Sequence, residues 1–481
     1  MRTHTYSTSR RRIAPRRLAL ASLALALAAC DGRITGPGED GDGAGPDLSA
    51  QPRFARLTHA QWENTVRDLL RLPERTGLSS RFQPDPPLGR FDNNIARLTV
   101  TSQLWQGYQQ AAEQIGERVA TDAELLAALT ADLPGDAAAA ARAFVERFGR
   151  RAFRRPLDSA EVDRYAALFA EGPTHYPDHD PITAGVRFTI EAMLQSPYFL
   201  YRVELSTESE GGDVRLNGYE VASRLSYAFL DTMPDDDLFA AAEAGELDTE
   251  EGVRAHIMRL LDDPRAEAQF ESFHTQAFKL SEYVDLDKDP DLFPQWSGAL
   301  GEAMQEATAR FLGEVALGGG SIRELLTSTT AFVNADLAAV YGLEGDFGDE
   351  LVQVELDPGQ RAGLLTRAGF LARNATLRDP DPIHRGVFIN INLLCREIAA
   401  VPNLPDDLMP VGETNRERID SITGEGTCGE GCHATIINPI GFALENYDAL
   451  GQWRTEDNGR PVDAADTYTF EDGRSISFMN G

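Results

Sequence analysis

Helical periodicity constrains this chain more than any other feature. From Leu57 onward, apolar residues recur at three- and four-residue spacing in nearly every stretch long enough to form an element, and that spacing aligns one face of a helix. Leu57-Thr58 opens a helical segment running to Leu72, with Thr58 placed to cap it. Leu98 to Leu133 is helical in pattern and breaks at Pro134-Gly135. Asp136 can cap the next helix, Ala137 to Phe153, which Pro156 halts, and Asp158 caps another through Phe169. Further helical segments fall at 182–205, 217–230, 248–262, 265–278, 300–317, 359–373 and 382–397. Strand-like alternation occurs only at Leu351 to Leu356 and after Tyr468. No internal repeat has a fixed period, so a solenoid is not expected. The expected fold class is mostly α, a multi-module helical protein with little β.

The N-terminus is of a different kind. Arg10, Arg11, Arg12, Arg16 and Arg17 form a basic region ahead of the apolar run Leu18 to Ala29. That run is too short for a hydrocarbon core of roughly 30 Å but has the length of a signal-peptide core. It ends in Leu27-Ala28-Ala29-Cys30, which resembles the lipobox of bacterial lipoproteins, where the cysteine is diacylated and becomes the first mature residue. An ordinary secretory signal with a chance cysteine is the plainer alternative. Ser9-Arg10-Arg11 could open a twin-arginine signal, but the residues after it fit poorly. Residues 1–29 are thus expected to be a lipoprotein signal peptide, with a lipid on Cys30 as the membrane anchor. Residues 30–50 are rich in Gly, Asp and Pro and read as a flexible linker. Twenty such residues reach roughly 25 Å.

Charge narrows the partners. The chain carries −31, and losing the six arginines before Cys30 would leave −37. Such a chain repels nucleic acid and anionic headgroups, so no nucleic-acid partner is expected and membrane attachment falls to the lipid. Asp285-Leu286-Asp287-Lys288-Asp289 begins like a calcium loop, but Pro290 and Trp296 stand where Gly and Glu are needed. Asp235, Asp236 and Asp237 after Pro234 read as first-turn acids of a helix. Nucleophile-elbow, zincin, P-loop and dinucleotide motifs are missing from the sequence, and no catalytic residue is assigned.

One cluster carries chemistry. Cys428-Gly429-Glu430-Gly431-Cys432-His433 is C-x-x-x-C-H, one residue longer than the C-x-x-C-H of c-type haem attachment. Two thiols would take the haem vinyl groups and the adjacent imidazole would bind iron. The extra residue must bulge, and Gly429 and Gly431 offer the conformational freedom. The same spacing suits a local disulfide, since residues four apart on a helical turn lie roughly 6 Å apart. A free or metal-bound pair is the third option.

The residues around this cluster resemble a known family. Cys432-His433, then Asn438-Pro439-Ile440-Gly441-Phe442-Ala443-Leu444-Glu445-Asn446-Tyr447-Asp448 through Trp453-Arg454, are similar to the cytochrome-like module of large planctomycete and myxobacterial envelope proteins. There a C-x-x-C-H precedes D-P-x-G-F-A-L-E-N-F-D-A-x-G-x-W-R. Ile383-His384-Arg385-Gly386 and Leu393-Leu394-Cys395 resemble the start of the same module. Upstream, Arg56-Leu57-Thr58 with Asn64 to Leu70, Phe148 to Leu157, Leu194 to Arg202, Ala222 to Tyr227, Asp263 to Ala266 and Phe332-Val333-Asn334 resemble its earlier modules. The resemblance implies the succession of planctomycete-cytochrome-associated domains of unknown function 1587, 1595, 1592, 1588 and 1585. It divides the chain into helical modules at 51–135, 136–175 and 180–345, a small cytochrome c-like module at 355–454, and the start of a truncated closing module at 455–481. It also implies haem c on Cys428, Cys432 and His433. Two departures stand against that: the spacing is one residue long, and Asn438 replaces the acid before Pro439.

The expected function is that of a lipid-anchored cell-envelope protein, facing the periplasm or the outer surface, that binds haem and transfers electrons to an unidentified redox protein. His433 would be the proximal ligand, with Met479, Met409 or His384 distal. The alternative is a non-haem structural or binding lipoprotein whose cysteines form a disulfide. With Cys30 acylated three thiols remain, so haem leaves Cys395 free, and pairing of Cys395 with either motif cysteine prevents double attachment. A weaker option is an enzyme using Glu445 and Asp448 on one helix face, though these acids more readily pair with Arg454 or cap a turn.

Overall fold

The computed structural model describes residues 53–85, 91–95, 97–210, 213–398, 409–427 and 429–480. The expected signal peptide at 1–29, the expected linker at 30–50 with Cys30, and Cys428 lie outside the described residues. What is described falls into two compact units, 53–273 and 274–480.

In the first unit, β1 (Phe54–Arg56) leads into α1 (His59–Leu69). Thr58 caps α1 as its pattern requires: the hydroxyl accepts from Gln61 N while Gln61 Oε1 accepts from Thr58 N. Then come α2 (Ser102–Thr121), α3 (Ala123–Thr130), α4 (Ala137–Ala152), α5 (Ser159–His175), α6 (Pro181–Leu194) and α7 (Pro197–Leu200). Asp122, Asp136, Asp158 and Asp180 cap α3 to α6, each accepting from first-turn amides. The core joins Trp62, Val66, Tyr108, Phe144, Phe148 and Ile190. α5 and α6 touch backbone to backbone at Gly172, where a Cβ would stand 2.5 Å from the Ala184 carbonyl oxygen. β2 (Tyr201–Val203) pairs antiparallel with β1, and β3 (Ser209–Glu210) with β4 (Asp213–Val214). α8 (Gly218–Phe229), α9 (Asp236–Glu243), α10 (Glu250–Leu261) and α11 (Pro264–Ala277) follow.

The second unit contains α12 (Gly298–Leu317), α13 (Ile322–Thr327), β5 (Thr330–Val333), α14 (Ala335–Tyr341) and β6 (Val352–Glu355). β6 is the strand expected at 351–356, and it pairs antiparallel with β5. α15 (Ala368–Arg373), α16 (Pro382–Asn392), α17 (Asn415–Thr423), a π-helix at Glu430–Ile437 and α18 (Asn438–Phe442) build the C-terminal module. Two hairpins close the unit: β7 (Glu456–Asp457) with β8 (Arg460–Pro461), and β9 (Asp466–Thr469) with β10 (Ser475–Phe478). The fold is mostly α, with sheets of two strands only among the described residues. No helix among them is long and apolar enough to cross a membrane.

Several boundaries differ from the periodic pattern. The single helix expected at 182–205 ends at Leu194, because Ser196 caps a new turn at Pro197 and the chain then extends into β2. The helix expected over 98–133 divides at Asp122, which terminates α2 and caps α3. Over 359–373 only a 3-10 turn at Leu364–Thr366 and the short α15 form. Asp235 caps α9 and Asp236 and Asp237 occupy its first turn, as their sequence suggested.

Candidate functional site

The C-terminal module is assembled around one buried guanidinium. Arg385 on α16 is fully buried, and all five of its hydrogen bonds go to main-chain carbonyls. Nε donates to Asn374 O at 3.1 Å, Nη1 to Leu444 O and Tyr447 O at 2.7 and 3.1 Å, and Nη2 to Leu371 O and Asp448 O at 3.2 and 3.1 Å. Burial pulls its pKa down to about 10. Gly386 and Gly441 let α16 lie against the motif segment: a Cβ on Gly386 would sit 2.2 Å from Ile437 O, and one on Gly441 2.0 Å from Pro382 O. Lys288 is a second buried cation, donating to Ala372 O and Thr376 O at 2.8 and 3.0 Å. It points into this scaffold rather than toward a loop that could hold calcium.

His433 lies in the π-helix and is 7% exposed. Its neighbour in the turn is Asn438, whose amide donates to Thr423 Oγ1 at 2.9 Å and to Asp420 Oδ1 at 3.4 Å. His433 Nδ1 and Asn438 Oδ1 are both buried and neither completes a hydrogen bond. Burial pushes the imidazole pKa down, with the Asn438 side chain opposing it. Gly429 and Gly431 do not supply the expected freedom, since neither has a positive φ. The extra residue is taken up instead by the wider π turn, closed by Asn438 N donating to His433 O.

The cysteines divide. Cys432, half-exposed, is a free thiol. Cys395 is disulfide-bonded, and because Cys432 is free its partner lies outside the described residues. Cys395 follows the end of α16 with φ +52, the left-handed position of a helix C-cap that usually holds glycine. Arg396 N donating to Asn390 O at 2.9 Å completes that cap. A side chain in this conformation costs roughly 1–2 kcal/mol and persists where its surroundings hold it.

The candidate distal ligands are scattered. Met409 and Met479 are 81% and 79% exposed. His384 is bound by Asp381, Nδ1 to Oδ2 at 2.5 Å, which raises its pKa. Glu445 and Asp448 do not share a helix, because α18 ends at Phe442. Glu445 is 2% exposed, accepting from Arg454 Nη2 at 2.9 Å and Asn415 Nδ2 at 3.0 Å. Burial raises its pKa against the pull of Arg454. Asp448 turns the chain, accepting from Leu450 N and Gln452 N at 2.8 Å. Pairing with Arg454 and capping a turn, the plainer reading of these acids, is what they do.

Four family profiles match in succession: residues 55–121 match protein of unknown function DUF1587, 140–204 DUF1595, 216–343 DUF1592, and 361–457 DUF1588, the last named PSCyt3. The chain belongs to the planctomycete cytochrome-associated family. No match exists among the curated proteins or among the solved structures. Arg385 and Gly386 belong to the Ile383–Gly386 string that resembles the family, yet the string gives no hint that Arg385 gathers carbonyls from two segments, 371–374 and 444–448. Asn438, in place of the family's acid, donates to Asp420, whose pKa burial raises. A carboxylate at 438 would meet that of Asp420 instead.

Proposed function

We propose that the chain is a lipid-anchored protein of the cell envelope whose cytochrome-like module is closed by a disulfide and serves as a structural or binding module without haem. The observation that carries this reading is the pairing state of the cysteines: Cys395 bonded and Cys432 free. If Cys30 is acylated, Cys428 is the one partner left to Cys395. The motif then offers haem a single thiol where two are needed. The solvent-exposed thioethers of Met409 and Met479 point the same way, since a methionine bound to haem iron sits in an apolar enclosure.

A second reading retains haem c on Cys428, Cys432 and His433, with Met479 distal and electron transfer to a redox protein. One observation favours it: burial holds the His433 imidazole below its ordinary pKa and so keeps the ring neutral, as an iron ligand must be. When bound, such a haem would supply a one-electron carrier.

Expression with the c-type maturation machinery separates the readings. The disulfide reading expects the mass of the polypeptide with its lipid and no Soret absorption. A mass higher by one haem, with c-type bands on reduction, would overturn it.

A further inference from the structure

The described residues of the first unit contain an open cleft of about 1010 Å3, and its lining runs against the charge of the whole chain. Five arginines reach it: Arg71 just after α1, and Arg142, Arg147, Arg150 and Arg151 along α4. Three carboxylates line it with them, Glu146 on α4 and Asp236 and Glu243 on α9. In a protein of net charge −31 this local cationic excess marks a surface that draws in anions.

The arginines are not exhausted by internal pairing. Arg71 commits only Nη2, to Asp236 at 3.4 Å. Arg142 commits only Nη1, to Asp163. Arg150 commits only Nη2, to Glu243 at 2.8 Å and Phe239 O at 3.4 Å, while its guanidinium lies over the rings of Phe239 and Tyr219 at 5.5 and 5.8 Å. Arg147 gives its nitrogens to the carbonyls of Leu129 and Ala131 and touches no carboxylate. A fixed array of guanidinium donors suits carboxylate or sulfate groups bidentately.

We propose that this cleft binds an acidic polysaccharide, a chain with about one carboxylate or sulfate per sugar ring. Its volume exceeds what a single small anion fills. The interleaved acids choose between polymers. Glu146, Asp236 and Glu243 would repel the dense charge of an acidic peptide, one carboxylate per roughly 3.3 Å of extended chain, but can accept hydrogen bonds from the sugar hydroxyls that lie between the more widely spaced charges of a polysaccharide. Leu157 and Tyr219, both half-buried in the lining, offer apolar surface for ring faces.

The test is affinity electrophoresis and titration calorimetry of the full chain in detergent. The probes are polygalacturonate, neutral dextran and poly-L-glutamate at low ionic strength. Polygalacturonate is expected to bind, to weaken with added salt, and to exceed both other polymers. The double variant Arg71→Gln/Arg142→Gln removes two exposed cations and is expected to bind about ten-fold more weakly, with unchanged helical circular dichroism. Arg254→Gln, an exposed arginine outside the cleft, should bind as the parent does. No binding of polygalacturonate, equal binding of poly-L-glutamate or dextran, or full binding by the double variant would overturn the proposal.

Discussion

Arg385 gives its five bonds to main-chain carbonyls, so replacing it leaves several buried acceptors dry. Each such loss costs about 1–3 kcal/mol. Arg385→Ala is expected to lower the calorimetric melting of the second unit by about 10 °C, and Arg385→Lys to recover little, because one ammonium cannot span acceptors from 371 to 448. In the first unit, Gln61, Asn64 and Thr65 form a buried polar face of α1. Asn64 Nδ2 donates to the carbonyl and carboxylate of Asp231 at 2.9 and 3.3 Å. Burial drives the Asp231 pKa up to about 6 from 3.8. The folded state therefore holds a proton that the unfolded chain has released between about pH 4 and 6, and stability falls as pH rises through that window. Asp231→Asn should remove this slope and raise the melting temperature at pH 7. Asp231 sits at φ +54, which asparagine tolerates, so the backbone should not oppose the change. Neither role was legible in the sequence, because both depend on groups more than a hundred residues away or on carbonyls that every residue carries.

Helix starts were the most legible elements. Thr58, Asp136 and Asp158 cap as their positions suggested, because a cap is decided within four residues. Elements that depend on distant partners were not legible. β1 finds β2 across about 150 residues, and three residues carry too little alternation to announce a strand. The C-terminal module adds a case of its own: the bulge expected from Gly429 and Gly431 became a π-helix, and the left-handed position fell to Cys395. The cap at Cys395 yields an expectation for both redox states. With the disulfide intact, the parent should be more stable than Cys395→Gly by about 2–4 kcal/mol in denaturant titration. Under reducing conditions the order should reverse by roughly 1 kcal/mol, since glycine accepts the left-handed conformation without strain. Equal stability of the two in both conditions would contradict a clamp at this position.

At the scale of the whole chain, the mostly α architecture and the order of four family modules, DUF1587, 1595, 1592 and 1588, were readable from periodicity and motif order. The cationic cleft was not: its arginines are dispersed between Arg71 and Arg151 in a chain whose composition is acidic, and only folding places them together. Anchoring belongs to this scale as well. Cys30→Ser is expected to move the protein from the membrane fraction to the soluble envelope fraction, since acyl chains supply the attachment. Retention through alkaline washing would contradict the lipobox reading. The central claim concerns the state of the remaining cysteines, and alkylation of native-host protein under denaturing, non-reducing conditions followed by peptide mapping tests it most directly. The expected result is one alkylated thiol, Cys432, and a crosslinked pair of peptides carrying Cys395 and Cys428. A haem-bearing peptide spanning Cys428 to His433, with Cys395 as the alkylated thiol, would contradict the account.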